Sequence, residues 1–159
     1  MTHRVVLGLL LVPFSALGAV TYSENADDFS NGTVSTVKIT TRVNEPATLF
    51  VACYPGNKLD IQLAISGTMF PDSAAGGGML ISTTHKFDKA NAAITSDWFM
   101  NIMKYENAWY RGDKAAFVRS AIISSALNIR LNKRNDIYKF DLKDAAAKLQ
   151  IILRKCGEK

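Results

Sequence analysis

Apolar and polar residues alternate along several segments of this chain, which is the pattern of β-strands with one buried face. Thr36–Thr40 alternates around two aliphatic residues, and its threonines favour the extended backbone. Thr48–Tyr54 and Leu59–Ile65 also alternate, and the turn residues Pro55–Asn57 between them predict a hairpin. Further strands are predicted over Leu80–Phe87, Ile94–Met103, Ala108–Tyr110, Leu127–Leu131 and Tyr138–Phe140.

The period of the apolar residues changes in two places, each of which predicts a helix. Asp113 is a suitable N-cap for a short helix over Lys114–Ser125. The Ala-rich segment Asp141–Cys156 predicts a terminal helix that ends at Gly157, with one apolar stripe formed by Ala145, Leu149, Ile152 and Cys156. The predicted fold is mainly β (α+β): an antiparallel β-sandwich-like domain with one inserted short helix and a C-terminal helix.

The N-terminus has the order of a secretory signal peptide. Arg4 precedes the apolar run Val5–Val12, and a proline and small residues follow. The run is shorter than the roughly 20 residues that span a bilayer. Cleavage after Gly18 or Ala19 would leave residues 20–159 as a single β-rich domain with no transmembrane segment. The predicted location is the periplasm, with secretion as the alternative.

The chain has two cysteines, Cys53 and Cys156, and export would place both in an oxidising compartment. The even count predicts a disulfide, and the alternative is a pair of free buried thiols. The disulfide would attach the terminal helix to the first hairpin. In that case both cysteines have a structural role.

Charge is distributed unevenly along the predicted mature chain. Residues 20–103 hold five Lys/Arg and eight Asp/Glu, whereas residues 104–159 hold thirteen and six, which gives net charges of −3 and +7. Most of the basic residues are scattered, as on an ordinary solvated surface. One local cluster is a candidate interaction surface: Arg130, Lys133 and Arg134. Export argues against nucleic acid as a partner.

Conventional catalytic groups are scarce. The predicted mature chain has one histidine, His85, on the same strand face as aliphatic and aromatic residues, which indicates a structural role. No spacing typical of a metal site, a catalytic triad or a phosphate loop is present. The sequence therefore predicts no catalytic residue, cofactor or metal. The best carboxylates for a hydrolase would be Asp88 and Asp97.

Four aromatic residues lie close together in the sequence: Trp98, Phe99, Trp109 and Tyr110. Their density is typical of a binding patch, because aromatic side chains are enriched at interfaces. Alternating aromatics in a β domain are more often part of the core, and the sequence favours that interpretation.

The order of these features resembles a known family. Leu49–Cys53, His85–Asp88, Tyr138–Leu142 and Cys156–Gly157 are similar to segments of the TagO/VasI group, periplasmic accessory proteins associated with type VI secretion. The resemblance implies the same fold for about Thr36 to Gly157, and the family's paired cysteines would correspond to Cys53 and Cys156. His85 stands where the family usually has an aromatic residue.

Two functions are favoured over a carboxylate hydrolase that would use Asp88 and Asp97. The first is a non-enzymatic periplasmic accessory or interaction protein linked to an envelope or secretion machine, with an unidentified protein as its partner. The alternative is an inhibitor or immunity protein against an envelope-targeting enzyme, acting through the basic half or through Ser66–Met79, a glycine-containing segment predicted to be a mobile loop.

Overall fold

The computed structural model describes residues 18–41, 47–65, 79–100, 107–132 and 136–158. Within these ranges the chain forms nine strands and two helices. The strands are β1 (Val20–Ala26), β2 (Thr33–Thr40), β3 (Ala47–Tyr54), β4 (Lys58–Ile65), β5 (Met79–Phe87), β6 (Ile94–Met100), β7 (Asn107–Tyr110), β8 (Ala126–Leu131) and β9 (Ile137–Asp141). The helices are α1 (Lys114–Ile122) and α2 (Ala146–Lys155).

The described strands form one antiparallel sheet in the order β1-β2-β3-β4-β7-β6-β5-β8-β9. The first four strands follow the chain hairpin by hairpin. β7 then pairs with both β4 and β6, so the chain order runs backwards through β6 and β5 before β8 and β9 complete the sheet. The predicted mainly β fold with one inserted helix and one C-terminal helix is confirmed.

The sheet has an inner face, which packs against the helices, and an outer face on the opposite side. Cα atoms of β2 and β9 come within 8 Å of each other although six strands separate them in the sheet order, so the sheet curls around the core. α2 packs on β2 and β3, and α1 packs on β4. The inner face is fully buried at many large side chains, including Ile39, Leu63, Trp98, Met100 and Ile129. Burial of each such side chain stabilises the fold by about 1.5–3 kcal/mol relative to exposure.

The disulfide between Cys53 and Cys156 is present, with its two Cα atoms 5.6 Å apart. Cys53 lies one residue before the end of β3, and Cys156 is the C-cap of α2. Gly157 follows with φ +69°, a left-handed conformation that ends the helix without the clash a side chain would cause. The bond therefore fastens the end of α2 to the first predicted hairpin, as the sequence predicted.

The starts of the two helices differ in how well the sequence predicts them. Asp113 caps α1 as predicted, because its side chain accepts a hydrogen bond of 2.9 Å from the backbone N–H of Ala116. α2 begins later than predicted: Asp141 still belongs to β9, and its carboxylate accepts a hydrogen bond from the N–H of Lys143 in the following turn. This local hydrogen bond stabilises a turn after β9, so the helix does not begin at Asp141.

β1 is an element that the hydrophobic pattern does not reveal. It is an edge strand whose residues are exposed or half-buried, so it shows little alternation of apolar and polar residues. It pairs with β2 along its whole length, and Lys155 of α2 forms an ion pair of 2.7 Å with Glu24. The N–H of Thr40 extends the pairing by donating a hydrogen bond of 3.0 Å to the carbonyl of Ala19.

Candidate functional site

Strand alternation divides the four clustered aromatic residues between the two faces of the sheet. Trp98 and Tyr110 lie directly opposite each other on β6 and β7, and both are buried on the inner face. Phe99 and Trp109 form the next pair, and they are half-buried on the outer face. The core interpretation is thus correct for one pair, and the binding-patch interpretation remains open for the other.

Phe99 and Trp109 belong to a longer row of side chains across the outer face. The residues are paired from strand to strand, with Phe50 opposite Gln62, Gln62 opposite Trp109, Trp109 opposite Phe99 and Phe99 opposite Leu80. We call these five residues the aromatic row. It crosses β3, β4, β7, β6 and β5, a distance of about 19 Å at the usual strand spacing. Leu80, at one end, is 60% exposed.

Several of the described cations lie beside the aromatic row. The ammonium of Lys38, opposite Phe50 on β2, lies 5.9 Å from the centre of the Phe50 ring, within cation–π range. Lys58 and Arg111 are exposed beside Trp109 and Phe99. Lys114, the first residue of α1, reaches Asp60 on β4 with an N–O distance of 2.7 Å.

Two adjoining depressions flank the middle of the aromatic row, and Asp60 lies in the wall of both. The first has a volume of about 290 Å³ and lies over β1 to β4. The second has a volume of about 410 Å³, and it is lined by Lys58, Asp60, Phe99, Trp109, Tyr110, Arg111 and Lys114. Aromatic surface and positive charge therefore meet in the second depression.

The predicted basic cluster is described only in part. Arg130 is exposed on β8, opposite Thr84 of β5 and Ile137 of β9. Leu80 and Thr84 point to the same side of β5, so Arg130 lies on the same outer face as the aromatic row. Lys133 and Arg134 lie outside the described residues. Arg130 therefore stays a prediction as an interaction residue.

His85 lies inside the core on the inner face of β5 and is 2% exposed. Its Nδ1 is 3.3 Å from the hydroxyl of Ser96, which also accepts a hydrogen bond of 3.2 Å from the indole N–H of Trp98. The rings of Phe87, Tyr110 and Phe117 pack around the imidazole, with centroids 5.2–5.9 Å away. Burial lowers the pKa of His85 from 6.5 to about 4, so the ring is neutral at ordinary pH.

The two carboxylates considered for hydrolysis lie far apart. Asp88 follows β5, and its carboxylate accepts hydrogen bonds from the hydroxyl and the N–H of Ser125, at 2.8 and 3.0 Å. The hydroxyl bond is the main cause of the lowered pKa of Asp88. Asp97 of β6 is opposite Ser82 of β5. Ser82 precedes Asp88 by six residues, so Asp97 and Asp88 are about 20 Å apart along the sheet. Paired-carboxylate catalysis needs a separation of about 5–10 Å.

Three constituents of the aromatic row, Phe50, Gln62 and Leu80, were not recognised as site residues from the sequence. The alternation in β3, β4 and β5 does place them opposite the buried residues, but it does not show which strands are neighbours. The alignment of Phe50 and Gln62 with Trp109 depends on the pairing of β4 with β7, two strands that are not consecutive in the chain. Leu80 is aligned with Phe99 by the pairing of β5 with β6.

Within the part of the chain that the structure describes, no group of three or more His, Cys, Asp or Glu side chains is placed to hold a metal ion. None of the described helices is long and apolar enough to cross a bilayer. Comparison with protein-family models, with curated proteins and with solved structures gives no match for this chain.

Proposed function

We propose that this chain is an exported, non-enzymatic periplasmic accessory protein that binds another protein through the outer face of its sheet. The observation that carries this proposal is the aromatic row. The inner face already supplies the core, so the aromatic side chains on the opposite face do not contribute to that core. Aromatic side chains are enriched at protein interfaces, and so is arginine, which Arg111 supplies beside the aromatic row.

Export is supported by the disulfide, which is compatible with an extracytoplasmic location. The first strand begins at Val20, directly after the predicted cleavage positions, so removal of residues 1–18 or 1–19 would leave every described strand and helix whole. The periplasm as the specific compartment rests on the signal-peptide pattern.

The non-enzymatic part of the proposal is supported by where the candidate groups lie. His85 is enclosed by rings and held by Ser96, away from the solvent in which a substrate would arrive. Asp88 is ionised and bound to Ser125, which suits a strand-end anchor better than a general acid. Asp97 lies on the outer face, far from Asp88.

The link to a secretion or envelope machine rests on the sequence resemblance to the TagO/VasI group. The inhibitor or immunity alternative was tied to Ser66–Met79 and to the basic half. Residues 66–78 lie outside the described residues, and Met79 is the first residue of β5. No feature of the described surface favours this alternative over an accessory role.

The proposal is tested by crosslinking in producing cells followed by purification of the full chain from the envelope fraction. We expect one defined protein to be recovered in a stable ratio to the chain. Recovery of no protein under crosslinking, from cells in which the chain is exported and oxidised, would contradict an interaction role. Mass spectrometry without reduction, on the same sample, checks export and the Cys53–Cys156 bond.

A further inference from the structure

We infer that the aromatic row binds an extended, acidic segment of the partner protein that carries apolar side chains. This inference rests on the proposed function and specifies the surface and the chemistry of the partner. The described residues contain other exposed apolar side chains, such as Phe29 and Ile123, but those two lie in a turn and at a helix end rather than in a strand-to-strand row.

The apolar part of the inference follows from the composition and extent of the aromatic row. Phe50, Trp109 and Phe99 are half-buried and Leu80 is largely exposed, so each retains apolar surface that a partner can cover. A length of about 19 Å corresponds to about six residues of extended polypeptide. Such a segment would run across the strands, and its alternate side chains would point toward the sheet.

The acidic part follows from the charges that line the second depression beside the aromatic row. Among the described residues that line the second depression, three are cations (Lys58, Arg111 and Lys114) and one is a carboxylate, Asp60. Lys114 already neutralises Asp60 at 2.7 Å, which leaves the charges of Lys58 and Arg111 uncompensated within this lining. A segment rich in Asp and Glu complements this surface, and carboxylates of the partner would be bound by Lys58 and Arg111.

The second depression shows where the two kinds of contact would combine. Phe99 and Trp109 line it together with Lys58 and Arg111, and its volume of about 410 Å³ accommodates one or two side chains of a partner. An apolar side chain there would contact the rings while a neighbouring carboxylate reached the cations. Contacts of this mixed kind, at the centre of an interface, usually carry most of the binding free energy.

The test uses site-specific photocrosslinking in producing cells. Benzoylphenylalanine is placed in the full chain at Leu80, at the end of the aromatic row, or at Ile123, which is 71% exposed at the end of α1. We expect a crosslink to one protein from position 80 and none to that protein from position 123. Peptide mapping should place the crosslink in a segment where Asp and Glu outnumber Lys and Arg.

Charge variants provide the matched comparison. Lys58→Gln with Arg111→Gln removes two exposed cations beside the aromatic row, and Lys143→Gln with Arg154→Gln removes two exposed cations elsewhere. We expect the first pair to weaken capture by about tenfold and to reduce its dependence on salt, and the second pair to leave both unchanged. Neither pair touches the core, so the fold should be retained.

The outcomes separate this inference from the proposed function. Capture of a partner from position 123 but not from position 80, or equal capture by both charge variants, overturns the inference and leaves the interaction role intact. A crosslink into a neutral or basic segment overturns the acidic assignment, and a crosslink into a glycan overturns the protein assignment. If no position and no chemical crosslinker captures anything, both the inference and the proposed function are wrong.

Discussion

His85 should make the stability of the fold depend on pH between about pH 7.5 and 5. Its pKa is about 4 in the folded chain, against 6.5 for an unperturbed histidine. Between these values the unfolded chain binds a proton that the folded chain does not, so the free energy of unfolding falls as the pH is lowered through 6.5. From pH 7.5 to pH 5 the loss is at most about 2 kcal/mol, and it levels off below about pH 4.

The titration of Tyr110, Asp88 and Glu24 does not coincide with that of His85 between about pH 7.5 and 5. The pKa of Tyr110, which packs against the imidazole, is raised by burial, so the phenol stays neutral throughout. A hydrogen bond from Ser125 lowers the pKa of Asp88, and a hydrogen bond from Lys155 lowers the pKa of Glu24. The stability that these carboxylates contribute is present above their unfolded pKa values and is lost only at more acidic pH, as each is protonated.

The assay is urea unfolding of the mature, oxidised chain at about pH 7.5 and 5, followed by tryptophan fluorescence. His85→Phe and His85→Asn are the comparison variants, and neither can take up a proton at this position. Their absolute stabilities will differ from that of the native chain, but the change with pH should be smaller by about 2 kcal/mol in both. The reasoning fails if the native chain is equally stable at the two pH values, or if both variants show the same loss as the native chain.

Three further predictions concern the disulfide, the two tryptophans and the cap of α1. Replacing Cys53 and Cys156 by Ala should lower the free energy of unfolding by about 4–5 kcal/mol, as the chain-entropy model gives for a sequence separation of 103, and denaturant unfolding measures it. Acrylamide should quench Trp109 several times more strongly than Trp98, because only Trp98 is fully buried, and single-tryptophan variants separate the two signals. Asp113→Ala should cost about 1 kcal/mol, measured by urea unfolding, through loss of the hydrogen bond to the first turn.

Each of these predictions has its own control. Reduction of the native chain should reproduce the loss seen in the double Cys variant, and an unchanged stability would contradict the structural role of the bond. Equal quenching of both tryptophans would contradict their placement on opposite faces. Asp144→Ala removes an exposed carboxylate just before α2, where no side-chain cap is formed, so it should cost much less than Asp113→Ala. An equal loss of stability in the two variants would show that the effect of Asp113→Ala does not come from loss of its capping hydrogen bond.

The hydrophobic pattern predicted the strands that have one buried face, because alternation directly reports burial. β4 shows this best, since its four aliphatic residues are all buried and the residues between them face outward. β1 escaped prediction because an edge strand with both sides partly in solvent needs no alternation. The disulfide was predictable because only one pairing of two cysteines exists.

The candidate site was harder to predict because it depends on strand order. Trp109 and Phe99 were visible in a dense aromatic group, and alternation alone places each on the opposite face from its neighbour Tyr110 or Trp98. Only the register shows that Trp109 and Phe99 share one face. Phe50 lies about sixty residues away in the chain and joins the group only because β7 pairs with β4. Non-local pairing of this kind leaves no local signal in the sequence.

The most direct test of the proposed binding face uses Trp109 as a built-in probe. The Trp98→Phe variant of the mature chain leaves Trp109 as its only tryptophan. Acrylamide quenching of its fluorescence would be measured alone and with the purified partner recovered by crosslinking. If the partner covers the aromatic row, the quenching constant should fall by severalfold on binding. A quenching constant that stays unchanged while the partner is demonstrably bound would contradict the assignment of this face as the binding surface.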